Sequence, residues 1–177
     1  MKQIPLAGKR GCGLFAVVDD EDYKKASIYN WHLNYKNDTN YAVARVKINK
    51  KWKSIYLHRF VLNVKNKMVV DHIDHIGLNC TKNNLRICTH AENLRNNKIQ
   101  TINKTSIYKG VYWNKSKNKW CSHIGFDNKR YYLGAFTNEK HAAQAYDKAA
   151  RQYFGEFALT NFLEFENINN CQAALDL

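Results

Sequence analysis

Between residues 14 and 62 apolar side chains fall near every second position: "LFAVVD", "NYAVARVKI" and "WKSIYLHRFVL" alternate, with polar turns such as "YKNDTN" between them. A two-residue period puts alternate side chains on opposite faces of a strand, so this stretch predicts a small β-rich region. Residues 67–100 continue with a strand at "KMVVDH", a loop holding Gly77 and Asn79, a strand at "NLRICT" and a helix starting near His90. Thr89 followed by Glu92 marks that helix start as a capping box, in which each side chain satisfies the other's free backbone N–H. Asn93 then falls in the first helical turn.

A polar, weakly periodic segment, "NNKIQTINKTS", reads as a linker. After it, "YKGVYWN", "KWCSHIGF" and "KRYYLGAF" alternate as three strands joined by "KSKNK" and "DNK" turns. The period then switches: "TNEKHAAQAYDKAARQYFGE" carries Ala142, Ala145, Tyr146, Ala149 and Tyr153 on one helical stripe, with Gly155 as its stop. The tyrosines on that stripe read as core. Small alanines let such a helix lie close to a sheet, and the whole chain reads as α+β.

Composition sharpens this picture. With 177 residues, 45% hydrophobic and 13% aromatic, the chain can build one ordinary domain or two small ones. Lys and Arg number 28 against 15 acidic residues, a net +13, and the stretch after Asn161 holds three acids and no base. The body is therefore strongly basic, which fits a polyanion partner, most often nucleic acid, because neutralising phosphates releases counterions. Five widely spaced cysteines without a CxxC pair indicate neither a disulfide framework nor a structural zinc site. No segment reaches the roughly 18 apolar residues needed to span a bilayer. The expectation is a soluble, cytoplasmic protein that is not secreted and has no membrane partner.

The carboxylates, imidazoles and amides gather in one place, "VVDHIDHIGLNCTKNNLRICTHAEN". Asp71 and His72 end one strand, Asn84 opens the next, and Asn93 sits in the helix after it, so a strand, strand, helix unit brings them to one end. A carboxylate and an amide oxygen are hard ligands that suit a magnesium-like ion. An imidazole beside them can take a proton from attacking water, and a nearby amide can hold the ring in its tautomer. The chemistry this suits is metal-assisted phosphodiester hydrolysis.

"LHRF…VVDHIDHIGLN…NNLRICTHAEN" closely resembles the HNH endonucleases of the homing type, with the ββα-metal fold, and the β-rich leader extends the likeness over residues 14 to 98. The resemblance implies Asp71 and Asn93 as ligands of Mg2+ or Mn2+, His72 as general base and Asn84 as the residue orienting His72. It would also give the ion the task of stabilising the departing 3′ oxygen. Two departures stand out. Asn93 replaces the more common histidine, and His75 replaces the usual small residue after "DHID", adding a competing base or a phosphate contact. His72 is favoured because it directly follows Asp71. His58 reads as a packing or locally bonded residue, Arg59 as a phosphate contact or a solvated side chain, and His90 as part of the helix start. Cys80 and Cys88 lack two further ligands for zinc.

The second unit, residues 106 to 162, resembles the DNA-binding domain of ethylene-response-factor (AP-two) transcription factors through Y-x-G-V, Trp120, Y-L-G-x-F, A-A-x-A-Y-D-x-A-A and the closing L-T-N-F. In that family the sheet enters the major groove and the helix braces its back. Alternation then turns Val111, Trp120, Ser122, Ile124, Tyr131 and Leu133 toward the helix. Tyr112, Asn114, Lys119, Cys121, His123, Arg130 and Tyr132 turn toward DNA. The plant members carry several arginines where this chain has Tyr112, Asn114 and Gly125, so their target sequence does not transfer. Lys115, Lys117 and Lys119 read as phosphate contacts or as a solvated turn.

The combined expectation is a β-rich leader (1–57), an HNH nuclease core (58–100), a linker (101–105), an AP-two type domain (106–162) and an acidic tail (163–177). Its function would be site-directed cleavage of double-stranded DNA, with a phage or mobile-element origin implied by the resemblance. A non-catalytic sequence-specific regulator is the alternative. An RNA-binding role is disfavoured because an A-form major groove is too narrow for the sheet. Monomer and dimer, and hence nick and double-strand cut, both stay open.

Overall fold

The computed structural model describes residues 1–36, 39–64, 67–96 and 105–162. The chain forms two compact units, Met1–Asn93 and Leu94–Leu177. The centre of the linker and the acidic tail lie outside the described residues.

In the first unit β1 (Lys2–Pro5) pairs antiparallel with β2 (Phe15–Val18), burying Ile4 and Ala16 opposite each other. α1 (Asp20–Ala26) follows, with Asp20, Glu21 and Asp22 in its first turn and Lys24 and Lys25 in its last. That charge order complements the helix dipole. It corrects the expectation of strands alone over residues 14–62. β3 (His32–Lys36), β4 (Thr39–Ile48) and β5 (Lys51–Tyr56) form a meander. Asn49 and Lys50, both at positive φ, make the two-residue turn between β4 and β5, the geometry that matches strand twist.

A second correction concerns "WKSIYLHRFVL". Its strand stops at Tyr56, and Leu57–Val61 is a short helix, α2. Leu57, Phe60 and Val61 recur at helical spacing, and Leu57 and Val61 enter the core. β6 (Val69–His72) then pairs antiparallel with β7 (Leu85–Cys88), and α3 (His90–Arg95) begins at the expected capping box. Glu92 accepts from the Thr89 N–H at 2.7 Å, and Thr89 Oγ1 accepts from the Glu92 N–H at 3.2 Å.

One hydrophobic cluster, including Ile4, Val18, Trp31, Leu57, Val70, Cys80 and Leu85, runs through the leader and the β6–β7 hairpin together. The β-rich leader is thus the platform on which the hairpin rests. Trp31, almost fully buried, donates its indole N–H to the Ala26 carbonyl at 2.8 Å and packs edge-on against Tyr29 and Phe60.

In the second unit β8 (Val111–Asn114), β9 (Lys119–Phe126) and β10 (Lys129–Phe136) form an antiparallel sheet in the order β10-β9-β8. α4 (Glu139–Phe154) covers one face, capped by the Asn138 side chain on the Lys140 N–H at 2.8 Å. Ala142, Ala143, Ala149 and Ala150 are buried against the sheet. Gly110 is required: a Cβ there would sit 2.0 Å from the Tyr146 ring. Asp147, buried, accepts from the backbone N–H groups of Asn161 and Phe162 at 2.8 and 2.9 Å. The Y-D and L-T-N-F motifs therefore close the domain on each other.

Candidate functional site

β6 carries Asp71 and His72 at its end, both buried, and the ladder sets Asp71 opposite Arg86 and His72 opposite Leu85. Arg86 donates from Nε and Nη2 to the same Asp71 oxygen, Oδ2, at 2.9 and 2.7 Å. Both side chains are shielded, at 12% and 8% exposure, so this pair is not one of the weak surface kind.

His72 lies in a cluster of four rings. The His58 ring, from α2, meets it edge-on at 5.0 Å, the Tyr41 ring lies 5.9 Å away, and Tyr56 packs on His58 at 5.4 Å. Burial pushes the His72 imidazole below its ordinary pKa, while Asp74 and Asp71 pull it back and His75 opposes them. A neutral ring is the form that accepts a proton. Burial, followed by the nearby His72 and Arg59, drives His58 down to about 3, and its buried Nδ1 has no hydrogen-bond partner among the described residues. His58 is thus a neutral packing wall for His72. Arg59 turns inward, donating to the carbonyls of Met68 and Val64 at 2.7 and 3.3 Å.

The structure gives the Asn84 amide partners other than the His72 ring. Its Oδ1 accepts from the Asp74 N–H at 3.0 Å, and its Nδ2 donates to Asp74 Oδ1 and to the Asn79 carbonyl, each at 2.9 Å. The amide is consumed by the loop between β6 and β7, not by the His72 ring. Asp74 also accepts from the Ile76 N–H at 2.8 Å and from Asn79 Nδ2 at 2.7 Å. Burial alone would raise the Asp74 carboxyl. These hydrogen bonds, with His72 nearby, outweigh it and hold the group below its usual range. Asn84 therefore fixes a carboxylate whose charge bears on His72, which makes its effect on the ring indirect. His75 sits in this loop at φ 63, a left-handed conformation that glycine adopts more easily than any residue with a Cβ. Gly77 lets the loop touch β4, where a Cβ would lie 2.3 Å from the Asn40 carbonyl oxygen.

Asn93 lies in the first turn of α3, half-buried, with its N–H on the Thr89 carbonyl at 3.1 Å. The Cys88 thiol links it to β6: burial raises this thiol, and so does the Asp71 charge, while the Asn93 backbone N–H lowers it. Asp71 and the start of α3 thus bear on one sulfur atom. The donors, a carboxylate and an amide, are hard oxygens that fit a magnesium-class ion. Among the described residues no three His, Cys, Asp or Glu side chains are grouped to hold a metal, so water and phosphate would complete such a coordination shell. Cys80 is fully buried, and burial pushes its thiol up to about 12.

In the second unit the outer face of the sheet carries Tyr112, Asn114, Lys119, His123, Arg130 and Tyr132. Arg130 Nη2 lies 2.8 Å from His123 Nε2 and its guanidinium 5.8 Å from the Tyr112 ring centre. Lys117 lies over the Tyr132 ring at 5.1 Å. Asn114 Oδ1 is committed to its own turn, accepting from Ser116 Oγ at 2.7 Å and the Lys117 N–H at 3.0 Å. Cys121 belongs to this row by alternation but is fully buried, its sulfur 3.8 Å from the Tyr132 hydroxyl. Val111, Ser122 and Ile124 are buried, and Trp120, Tyr131 and Leu133 pack on the core, as alternation requires.

The family models for HNH endonuclease and AP2 domain match residues 63–95 and 106–156. An uncharacterized HNH endonuclease of Acanthamoeba polyphaga mimivirus is 30% identical over 163 residues, covering 88% of this chain and 79% of that relative. This chain belongs to the HNH endonuclease family. Its AP2 domain is 46% identical over 59 residues to the AP2-like ethylene-responsive transcription factors AIL7 and AIL6 of Arabidopsis thaliana. Those stretches are 12% and 10% of the plant proteins, so the likeness is confined to the domain. Together the two matches make the protein a nuclease with a DNA-binding domain. Arg86 and Asp74 are neighbours of the candidate residues that the sequence motif did not single out. Arg86 is legible only once the strands are put in register, whereas Asp74 lay within the quoted motif beside three potential amide donors.

Proposed function

We propose that this HNH endonuclease is a site-directed, metal-dependent DNA endonuclease of the homing type. The observation carrying this reading is a buried His72 that directly follows a buried carboxylate at a strand end. His72 takes the proton from the attacking water, and Asp71 and Asn93 would hold a divalent ion. When bound, a magnesium-class ion supplies positive charge to the scissile phosphate and the departing 3′ oxygen. Asn84 and Asn79 hold Asp74, whose charge keeps the His72 pKa from falling further. The outer sheet face of the AP2 domain binds double-stranded DNA, with Arg130 and Tyr132 toward the bases and Lys115, Lys117 and Lys119 toward phosphates. With one HNH unit per chain, a monomer would most simply nick, and a dimer could cut both strands.

Incubating the purified chain with supercoiled plasmid carrying its native locus tests this. Nicked or linear product should form with Mg2+ and vanish without it, and His72→Ala should remove it while DNA affinity persists. Undiminished cleavage by His72→Ala would move the base to His75. One observation favours the rival, a non-catalytic regulator: Asp71 already holds a cation, Arg86. Plasmid that is bound by the protein yet stays intact in Mg2+ and Mn2+ would establish that rival.

A further inference from the structure

The carboxylate assigned to the metal is not waiting alone. Asp71 and Arg86 are ladder partners, so the backbone itself holds them face to face, and two guanidinium nitrogens grip one oxygen at 2.7 and 2.9 Å. Both are shielded, which lowers the local dielectric and strengthens any charge interaction. Arginine keeps its proton throughout the accessible pH range, so the grip cannot be relieved by deprotonation. The Asp71–Arg86 pair is therefore already neutral. A divalent ion entering beside it would add positive charge to a pair that is already balanced, and a DNA phosphodiester is an anion that offsets that excess.

We propose that Arg86 is a loading gate for the metal: it occupies Asp71 in the free protein and keeps divalent affinity low until a DNA phosphate arrives. The inference rests on Asp71 being a metal ligand. Its consequence is an enzyme that carries its ion on DNA and not in free solution, where a loaded hydrolytic centre would have no substrate. Arg86 is here a positioning residue that acts through Asp71.

Mn2+ binding to the full chain, read by calorimetry or by the loss of the free-ion paramagnetic signal, tests this without turnover. DNA-free wild type should bind weakly, and Arg86→Met should bind at least tenfold more tightly because the competing charge is gone. Arg86→Lys keeps a charge but loses the two-pronged grip and should fall between them. With a nonspecific duplex present in a His72→Ala background, Mn2+ affinity should rise with Arg86 in place and rise much less with Arg86→Met. Should Arg86→Met fail to fold without Mn2+, the Arg86→Lys comparison decides the matter. Equal or weaker Mn2+ binding by the folded Arg86 variants overturns the gate. Asp71→Asn separates the two failures. Mn2+ binding unchanged in Asp71→Asn overturns the ligand assignment and the gate with it, whereas binding lost in Asp71→Asn but not raised by Arg86 replacement overturns the gate alone.

Discussion

Replacing Asn84 separates a residue that aims the catalytic ring from one that builds the loop beside it. Asn84→Ala deletes three hydrogen bonds, at 3.0, 2.9 and 2.9 Å, from a side chain only 8% exposed. A neutral bond contributes about 1 kcal/mol net and one to a carboxylate about 1.5–3. Because Asp74 lies near the surface, water recovers part of this, leaving a loss of about 2–4 kcal/mol. The amide protons of Asp74 and Ile76 should exchange faster, since one bonds Asn84 and the other bonds the carboxylate that Asn84 holds. Asn84→Asp adds a sign test. The wild-type Asp74 carboxyl lies below its ordinary value, so its contribution is present above about pH 4 and lost as pH falls through the folded pKa. The introduced carboxylate places a like charge beside Asp74 and raises one of the two, so this variant should gain stability as pH falls from 7 toward 5. Urea unfolding at several pH values, together with residue-resolved exchange, reads all of this. A variant that loses cleavage with stability and exchange unchanged would refute the loop role and return Asn84 to the ring.

Three further outcomes follow from the same geometry. The rate of plasmid cleavage should rise with pH to an inflection below 6.5 and then level, since His72 is depressed; Asp74→Asn, by removing a charge that raises it, should move the inflection lower still. His58, held near 3, binds fewer protons folded than unfolded, so stability is full above about pH 6.5 and falls by up to about 1.4 kcal/mol per pH unit as acid is added toward 3; acid titration of His58→Phe should show a shallower slope. Arg130→Ala should cost about 1–3 kcal/mol on the native locus and little on scrambled duplex, whereas Lys117→Ala should weaken both alike and flatten the salt dependence, as binding at two salt concentrations would report.

Much of this architecture was legible because its signals are local. The Thr89–Glu92 box announced α3, and the stripe from Ala142 to Tyr153 announced α4. Alternation along β8 to β10 sorted core from outer face, apart from Cys121, which is buried with its sulfur against the Tyr132 hydroxyl. What escaped reading lacked a long periodic run. α1 has seven residues and announces itself by charge order, and α2 has five, too few to break an apparent strand. The role of Asn84 escaped for another reason. Strand spacing brings it near both His72 and Asp74, and only the turn geometry of the loop decides which one receives the amide. Arg86 was hidden likewise, since its meaning depends on register with Asp71, fifteen residues away.

The same contacts explain how a chain of net charge +13 keeps carboxylates at its candidate centre. Neither Asp71 nor Asp74 is left to the general field: one is paired with a guanidinium, the other is held by backbone and side-chain amides. Amides stabilise negative charge without adding an opposite one, so Asp74 acts on His72 as a full charge, whereas Arg86 sets a positive charge directly against Asp71. The two aspartates are thereby set to different uses although they stand three positions apart. Exchanging their partners would undo both: an amide opposite Asp71 would leave a buried charge ready for any cation. A guanidinium at Asp74 would silence the charge that keeps the His72 pKa from sinking further. Burial then opposes protonation of His72, which suits a base, while the basic body of the chain attracts the polyanion on which that base is to act.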